Sequence, residues 1–280
     1  MNQEFVLSCM IGFAISLLAC DGDSGNNASD SSSSENLWDS SSSVQIAETS
    51  SSNMIFTSSS RVYVIPAIIR DSITDSRDGQ VYATVVIGTQ IWMSENLNFV
   101  TDSSWCYENI PGNCESYGRL YQWASAMNID TMYNSNMFYA VYGPYQGICP
   151  EGLHLPSSND WQKLKNYVDS LNGEEGLGMS LRSREGWGRE YNGTDILGFS
   201  ALAAGVRNDS GRFVMGGLGT SFWSSQSMFL TASDPAKNIQ YTVYTAEHWQ
   251  ISYDDVRFFT PYTEKGPYYG ISVRCVKNLE

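Results

Sequence analysis

The sequence predicts an α+β fold closed by disulfides, and three observations carry that prediction. Trp161, Leu164, Val168 and Leu171 recur at i, i+3, i+7 and i+10, the spacing of a helix with one buried stripe. Short β-branched and aromatic runs split by Gly-rich turns dominate the C-terminal half, the pattern of short antiparallel strands joined by long loops. Four cysteines, Cys106, Cys114, Cys149 and Cys275, fall among these elements, and an even number in an exported chain favours disulfides.

Export is read from the N-terminus. Phe5 to Ala19 is an apolar run of fifteen residues. A membrane-spanning helix needs about twenty, whereas a signal-peptide core is shorter. The run ends in Leu17-Leu18-Ala19-Cys20, which resembles a bacterial lipobox, and the acidic, polar Asp21-Gly-Asp-Ser-Gly follows at once. The segment before the run, Met1-Asn-Gln-Glu4, carries no Lys or Arg. Residues 1–20 are therefore expected to be a lipoprotein signal peptide, with Cys20 the lipidated residue. Its acyl chains together would give stable anchoring where one chain alone is marginal.

Residues 21–60 contain sixteen Ser, mostly in runs, and few apolar side chains. Such a composition cannot offset the entropy of ordering, so residues 21–75 read as a disordered Ser-rich tether. About 40 residues of flexible coil would span roughly 35 Å. The remaining segment, 76–280, is long enough for one compact domain.

Within that domain, Gln80 to Ile87 is β-branched and aromatic, then Gly88-Thr-Gln turns into Ile91-Trp-Met, which predicts a hairpin. Leu120, Trp123, Ala124 and Met127 sit at helical spacing, so Gly118–Met127 is expected to be the first helix. Ser157-x-x-Asp160 after Pro156 has the form of a capping box, and Asn172-Gly173 supplies a stop for the second helix. Strands are expected at Phe199–Gly205, Arg212–Met215, Phe222–Ser225 and Ile271–Val276. The four cysteines allow three pairings, of which local Cys106–Cys114 with long-range Cys149–Cys275 is the most economical. A metal site is the rival use, but there is no Cys-x-x-Cys and the chain holds two His, His154 and His248.

Charge excludes one class of partner. The net charge is −14, against the Lys/Arg excess that nucleic-acid binding requires, so no nucleic-acid partner is expected. The 13% aromatic content serves a core first, with a sugar-stacking or partner-anchoring platform as the alternative use. Trp187, Tyr191, Trp249, Tyr253, Tyr262 and Tyr268 lie in polar, Gly-containing segments and are the candidate ligand-binding residues.

Several ordered runs carry a family resemblance. They are Asp78-Gly-Gln-Val-Tyr, Trp92-Met-x-Glu-Asn-Leu-Asn98, Trp105-Cys-Tyr107, Tyr117-Gly-Arg-Leu-Tyr-x-Trp-Ala124 and Cys149-Pro-x-Gly-x-His-Leu-Pro-Ser157. Gly198-Phe-Ser-Ala-Leu202, Ala204-Gly-x-Arg207, Phe222-Trp-Ser-Ser225 and Ser272-Val-Arg-Cys275 continue them. Through these runs the chain resembles the Fibrobacter succinogenes major paralogous domain family. Leu153 stands where that family usually has Trp, and Ala203 where it usually has Pro. The family in turn is similar to the C-type-lectin-like superfamily, which implies two helices, a Cys before the second helix paired with one in the last strand, and a ligand-bearing loop within residues 205–262. The calcium-binding loop motifs of sugar-binding C-type lectins do not occur. The nearest fragments are Ser233-Asp-Pro235 and Asn159-Asp160, and Asp254-Asp255 reads as a solvated turn.

No catalytic constellation is evident. His154 lies between two Leu beside Pro156 and reads as a buried histidine bonded to backbone, and His248 is equally unremarkable. There is no Gly-x-Ser-x-Gly elbow. Gly216-Gly-Leu-Gly219 lacks the Lys of a phosphate loop and reads as a turn. Glu185, Glu190 and Asp195 offer only the spacing any acidic chain offers. The superfamily's formylglycine-generating enzymes need free cysteines, which disulfides would consume. The expectation is a lipid-anchored protein of the cell envelope, at the outer membrane or cell surface ahead of the inner membrane. Its domain would bind a glycan or a surface protein without catalysis and without metal or cofactor. The alternatives are a structural or adhesion protein with no small ligand, and an enzyme whose cleft the sequence does not reveal.

Overall fold

A computed structural model describes residues 47–48, 54–58, 61–65, 67–134, 141, 143–172, 176–188, 190–234, 239–253 and 266–279. All of them belong to one compact unit, Val44–Glu280. Residues 1–20, with Cys20, lie outside the described residues, as does Tyr262. Among the described residues no helix is long and apolar enough to cross a membrane.

Ordered structure begins earlier than the expected domain start at 76. Strands β1 (Ala47–Glu48), β2 (Met54–Ser58) and β3 (Arg61–Ile65) form an antiparallel sheet in that order. Strand β4 (Arg70–Thr74) pairs with β5 (Val81–Ile87) over five residues. The tether therefore does not run unbroken to residue 75. The reason is local: Met54-Ile-Phe-Thr and Val62-Tyr-Val-Ile are β-formers embedded between Ser runs.

The predicted hairpin forms as β5 and β6 (Gln90–Met93), turning at Gly88, whose φ is +60°. The last strand, β14 (Val276–Asn278), pairs with β6, so the sheet β14-β6-β5-β4 joins both ends of the domain. Next come β7 (Ser104–Trp105), α1 (Pro111–Tyr117) and β8 (Leu120–Tyr121). The helix expected over Gly118–Met127 is confined to α2 (Trp123–Met127). Leu120 and Tyr121 are drawn into a sheet instead, between β7 and β13 (Ile271–Ser272), and both are buried there. Gly118 at φ +71° ends α1 and prevents a continuous helix.

Helix α3 (Ser158–Asn172) matches its prediction, capping box included. The Ser157 amide donates to Asp160 Oδ2 at 2.9 Å, and the Asp160 amide donates to Ser157 Oγ at 3.2 Å. Trp161, Leu164 and Val168 are buried on its core face. Helix α4 (Leu177–Leu181) was not foreseen. The expected strand at Phe199–Gly205 is displaced to β9 (Ala204–Arg207), with Ala201 making only an isolated bridge to Arg182.

Strand β10 (Phe213–Gly216) turns at Gly217 into β11 (Gly219–Asp234), which pairs antiparallel with β12 (Ile239–Ser252). Where the resemblance implied a long loop, the chain builds this long hairpin. The larger sheet runs β10-β9-β11-β13-β8-β7, with β12 on β11; β11 is parallel to β9 and β13, so the sheets are not purely antiparallel. Both economical disulfides form, Cys106–Cys114 and Cys149–Cys275. The fold is α+β, and strands outnumber helices.

Tryptophans organise two apolar clusters. Trp92 and Trp161 meet with ring centroids 4.6 Å apart; Phe199 packs edge-on against both, and Phe222 lies tilted against Trp161 and edge-on to Phe199. Trp123 and Trp223 lie in the second cluster with the Cys149–Cys275 pair. Each indole N–H is satisfied: Trp123 donates to Ser224 O at 2.9 Å and Trp223 to Tyr121 O at 2.7 Å.

Candidate binding groove

Five of the six aromatic candidates fall among the described residues, and these five do not make a surface platform. Trp187 is 4% exposed: its N–H donates to Ala201 O at 2.9 Å, and the buried Arg182 guanidinium lies 4.9 Å over its ring. Trp249 is 6% exposed and stacks on Trp161 in the core. Tyr191 and Tyr253 meet at 4.8 Å, half-buried against the same core. Tyr268 alone is well exposed, at 40%, in a 3-10 turn. The polar, Gly-containing context of Trp187 and Trp249 gave no sign that distant segments would fold over them.

Both histidines are buried. His154 Nε2 bonds Asp160 Oδ2 at 3.1 Å rather than backbone. Asn278 Nδ2 and Gln90 Nε2 donate to the other Asp160 oxygen. Burial alone would raise the Asp160 pKa, but the hydrogen bonds from His154, Ser157 and Asn278 outweigh it and hold the carboxyl well below its ordinary value. These contacts tie the start of α3 to β14 and its neighbour β6 in the terminal sheet. Asp195 is buried, accepts from the Ser200 amide and hydroxyl, and has its pKa raised by burial; Glu185 and Glu190 are exposed. No carboxylate pair is thus recognisable among the three. Asp254 and Asp255 lie outside the described residues. Among the described residues no group of three or more His, Cys, Asp or Glu is placed to hold a metal ion.

His248 is 4% exposed, stands edge-on to Trp223, and its Nδ1 has no hydrogen-bond partner among the described residues. Burial lowers its pKa from 6.5 to about 4. Above pH 6.5 the ring is neutral in folded and unfolded chains alike. As pH falls towards 4 the unfolded chain takes the proton first, so stability is lost. His248→Phe is expected to remove about 2 kcal/mol of the stability difference between about pH 7 and pH 5. Urea titrations of both proteins at the two pH values check it, and identical pH dependence would refute it.

A groove of about 170 Å³ lies where the start of β5, the segment Glu95–Asn98 and the end of α1 meet. Its floor is rigid. Asn96 Nδ2 donates to Tyr117 O at 2.9 Å, and Asn96 Oδ1 accepts from Arg274 Nη2 at 2.7 Å. Tyr82 Oη accepts the Asn98 amide at 3.1 Å. The Cys106–Cys114 disulfide pins α1 beside it. A Cβ at Gly118 would meet Asn96 Cβ at 2.7 Å, so only glycine permits this approach.

The rim is chemically available. Glu95 and Glu115 are exposed, and Tyr117 is half-buried. Asn98 Oδ1 is shielded and has no hydrogen-bond partner among the described residues. Acceptors of this kind, beside an aromatic ring, suit hydroxyl donors on a polar ligand. Gln80, Glu95, Asn98 and Tyr117 were in plain view within the motif runs, but nothing in their spacing announced that 95–98 and 117 would share a wall.

A family model described as the Fibrobacter succinogenes major domain matches residues 85–277. No curated protein and no solved structure matches the chain. The match takes in both walls that end at Asn98 and Tyr117, β9 to β14 and both disulfides, and covers well over half of the sequence: the chain belongs to the Fibrobacter succinogenes major domain family.

Proposed function

We propose that this chain is a lipid-anchored cell-envelope protein whose domain binds a glycan without catalysis, in the groove between Glu95–Asn98 and the end of α1. The observation that carries this reading is a groove whose exposed Glu95 and Glu115 carboxylates and half-buried Tyr117 ring line one opening. A sugar offers hydroxyls to such acceptors and an apolar face to the tyrosine ring. The family runs build the rigid floor, so the site is preorganised and little is lost on ordering it. A C-type-lectin-like ancestry supports a binding role: Trp123 and Ala124 on α2, Cys149, α3 and Cys275 follow one another in that superfamily's order. Cys20, after an apolar signal, supports the anchor. A structural or adhesion role without a small ligand is the second reading, favoured by the burial of Trp187 and Trp249.

One experiment addresses anchor and ligand together. The full chain is expected to partition into detergent, and a variant beginning at Asp21, without the apolar run and Cys20, to be released into water. The soluble oxidised variant is then presented to glycan arrays and insoluble polysaccharides, with and without calcium. Specific retention is expected, reduced at least about tenfold by Glu95→Ala or Tyr117→Ala in a chain with unchanged circular dichroism. Retention untouched by both changes would refute the groove. No retention on any glycan would move the assignment to the structural reading.

A further inference from the structure

The β11–β12 hairpin extends beyond the sheet that carries it. Neighbouring strands meet β11 only at Thr220 and Phe222, whereas its ladder with β12 continues to Asp234↔Ile239. From Met228 to Asp234 the ribbon runs about 20 Å at an antiparallel rise of about 3.4 Å per residue. Among the described residues, β12 has β11 as its one strand neighbour, so the backbone of Ile239–Tyr244 forms a sheet edge. Phe229 is 70% exposed on this arm and Ile239 is 49% exposed.

A two-stranded ribbon is marginal by itself, and natural edges are shielded by Lys, Pro, bulges or shortness. This edge has none of those devices. Met228–Ser233 and Ile239–Ala246 contain no charged residue and no Pro, in a chain of net charge −14. The bulge lies at the base of the arm, between Trp223 and Ser227, and leaves the outer ladder regular.

We propose that two copies of this chain associate through the arm, edge to edge and antiparallel along Ile239–Tyr244, merging two ribbons into one four-stranded sheet. An antiparallel edge is self-complementary about a two-fold axis, so one segment serves both copies. The charge pattern selects the partner. Two acidic bodies repel, and a neutral arm is the part of each that approaches the other without that cost. Screening by salt should therefore strengthen the pair, whereas a basic partner would be released by salt.

Sedimentation equilibrium of the chain from Asp21 onward, freed of the apolar run over residues 5–19, tests this at low and high salt. Twice the single-chain mass is expected, with tighter association in high salt. Thr242 and Gln240 are exposed on the edge, and Thr242→Lys or Gln240→Lys is expected to weaken association at least about tenfold with circular dichroism unchanged. Thr242→Cys is expected to give a covalent dimer under oxidising conditions. A single-chain mass throughout, association that weakens as salt rises, or dimers unaffected by both lysines would overturn the proposal.

Discussion

Replacing Arg274 with Met is expected to remove at least about 4 kcal/mol of stability, enough to unfold much of the population of a typical domain. The side chain is fully buried between Phe199 and Phe222, its guanidinium carbon 4.6 and 5.4 Å from their ring centroids. Burial lowers its pKa to about 9, partly offset by Asp195 and Glu95, so it remains charged at neutral pH. Its donors reach Asn96 Oδ1 and the carbonyls of Met93, Phe199 and Ser200. Met fills the volume and abandons all four acceptors, each costing about 1–3 kcal/mol when left buried and unpaired. Lysine keeps the charge but lacks the planar fork, so Arg274→Lys should recover less than half of the loss. Guanidinium titration of the oxidised proteins reads both. A loss under about 1 kcal/mol for Arg274→Met would show that water or a rearranged loop satisfies these acceptors. Since Arg274 also holds Asn96, the groove floor should loosen in any variant that still folds.

Removal of the long disulfide by Cys149→Ala with Cys275→Ala is expected to cost about 5 kcal/mol in the chain-entropy account. The bond closes a loop with a sequence separation of 126, and both cysteines are fully buried. The Cys106–Cys114 bond spans a separation of 8, and its removal should cost under about 3 kcal/mol. The two losses have different consequences. Without the long bond, the junction of β13 and β14 loses its covalent tie to Cys149, and the whole domain should unfold at lower denaturant. Without the short one, α1 is freed beside the groove, and ligand retention should fall more than global stability. Equal losses from the two pairs would refute the loop-length argument.

The elements that were legible beforehand share one property. Helix α3 carries its stripe, its reciprocal Ser157–Asp160 cap and its stop within seventeen residues, and the β5–β6 hairpin carries its Gly88 turn between two β-rich runs. Each is specified by neighbours in the chain, so local pattern suffices. Leu120 had helical spacing to Trp123 and Met127, yet β13, about 150 residues later, claimed it and Tyr121 for a sheet. Tertiary pairing overrode a short periodic signal.

The same division runs through the site. Composition and the cysteine pattern pointed to a disulfide-closed α+β chain, and the ordered motif runs to its family, because each of these is written in residue identity. Which aromatics face water was decided by distant segments. Trp249 is covered by Trp161 of α3, and Trp187 by Arg182 and the carbonyl of Ala201. The groove likewise exists only because Gly118 lets the end of α1 touch Asn96 while the Cys106–Cys114 bond fixes the helix. Sequence alone determined helix α3, the β5–β6 hairpin and the family, and narrowed the four cysteines to three possible pairings. Burial and the meeting of remote walls were settled by packing, since exposure depends on which surfaces the whole chain brings together.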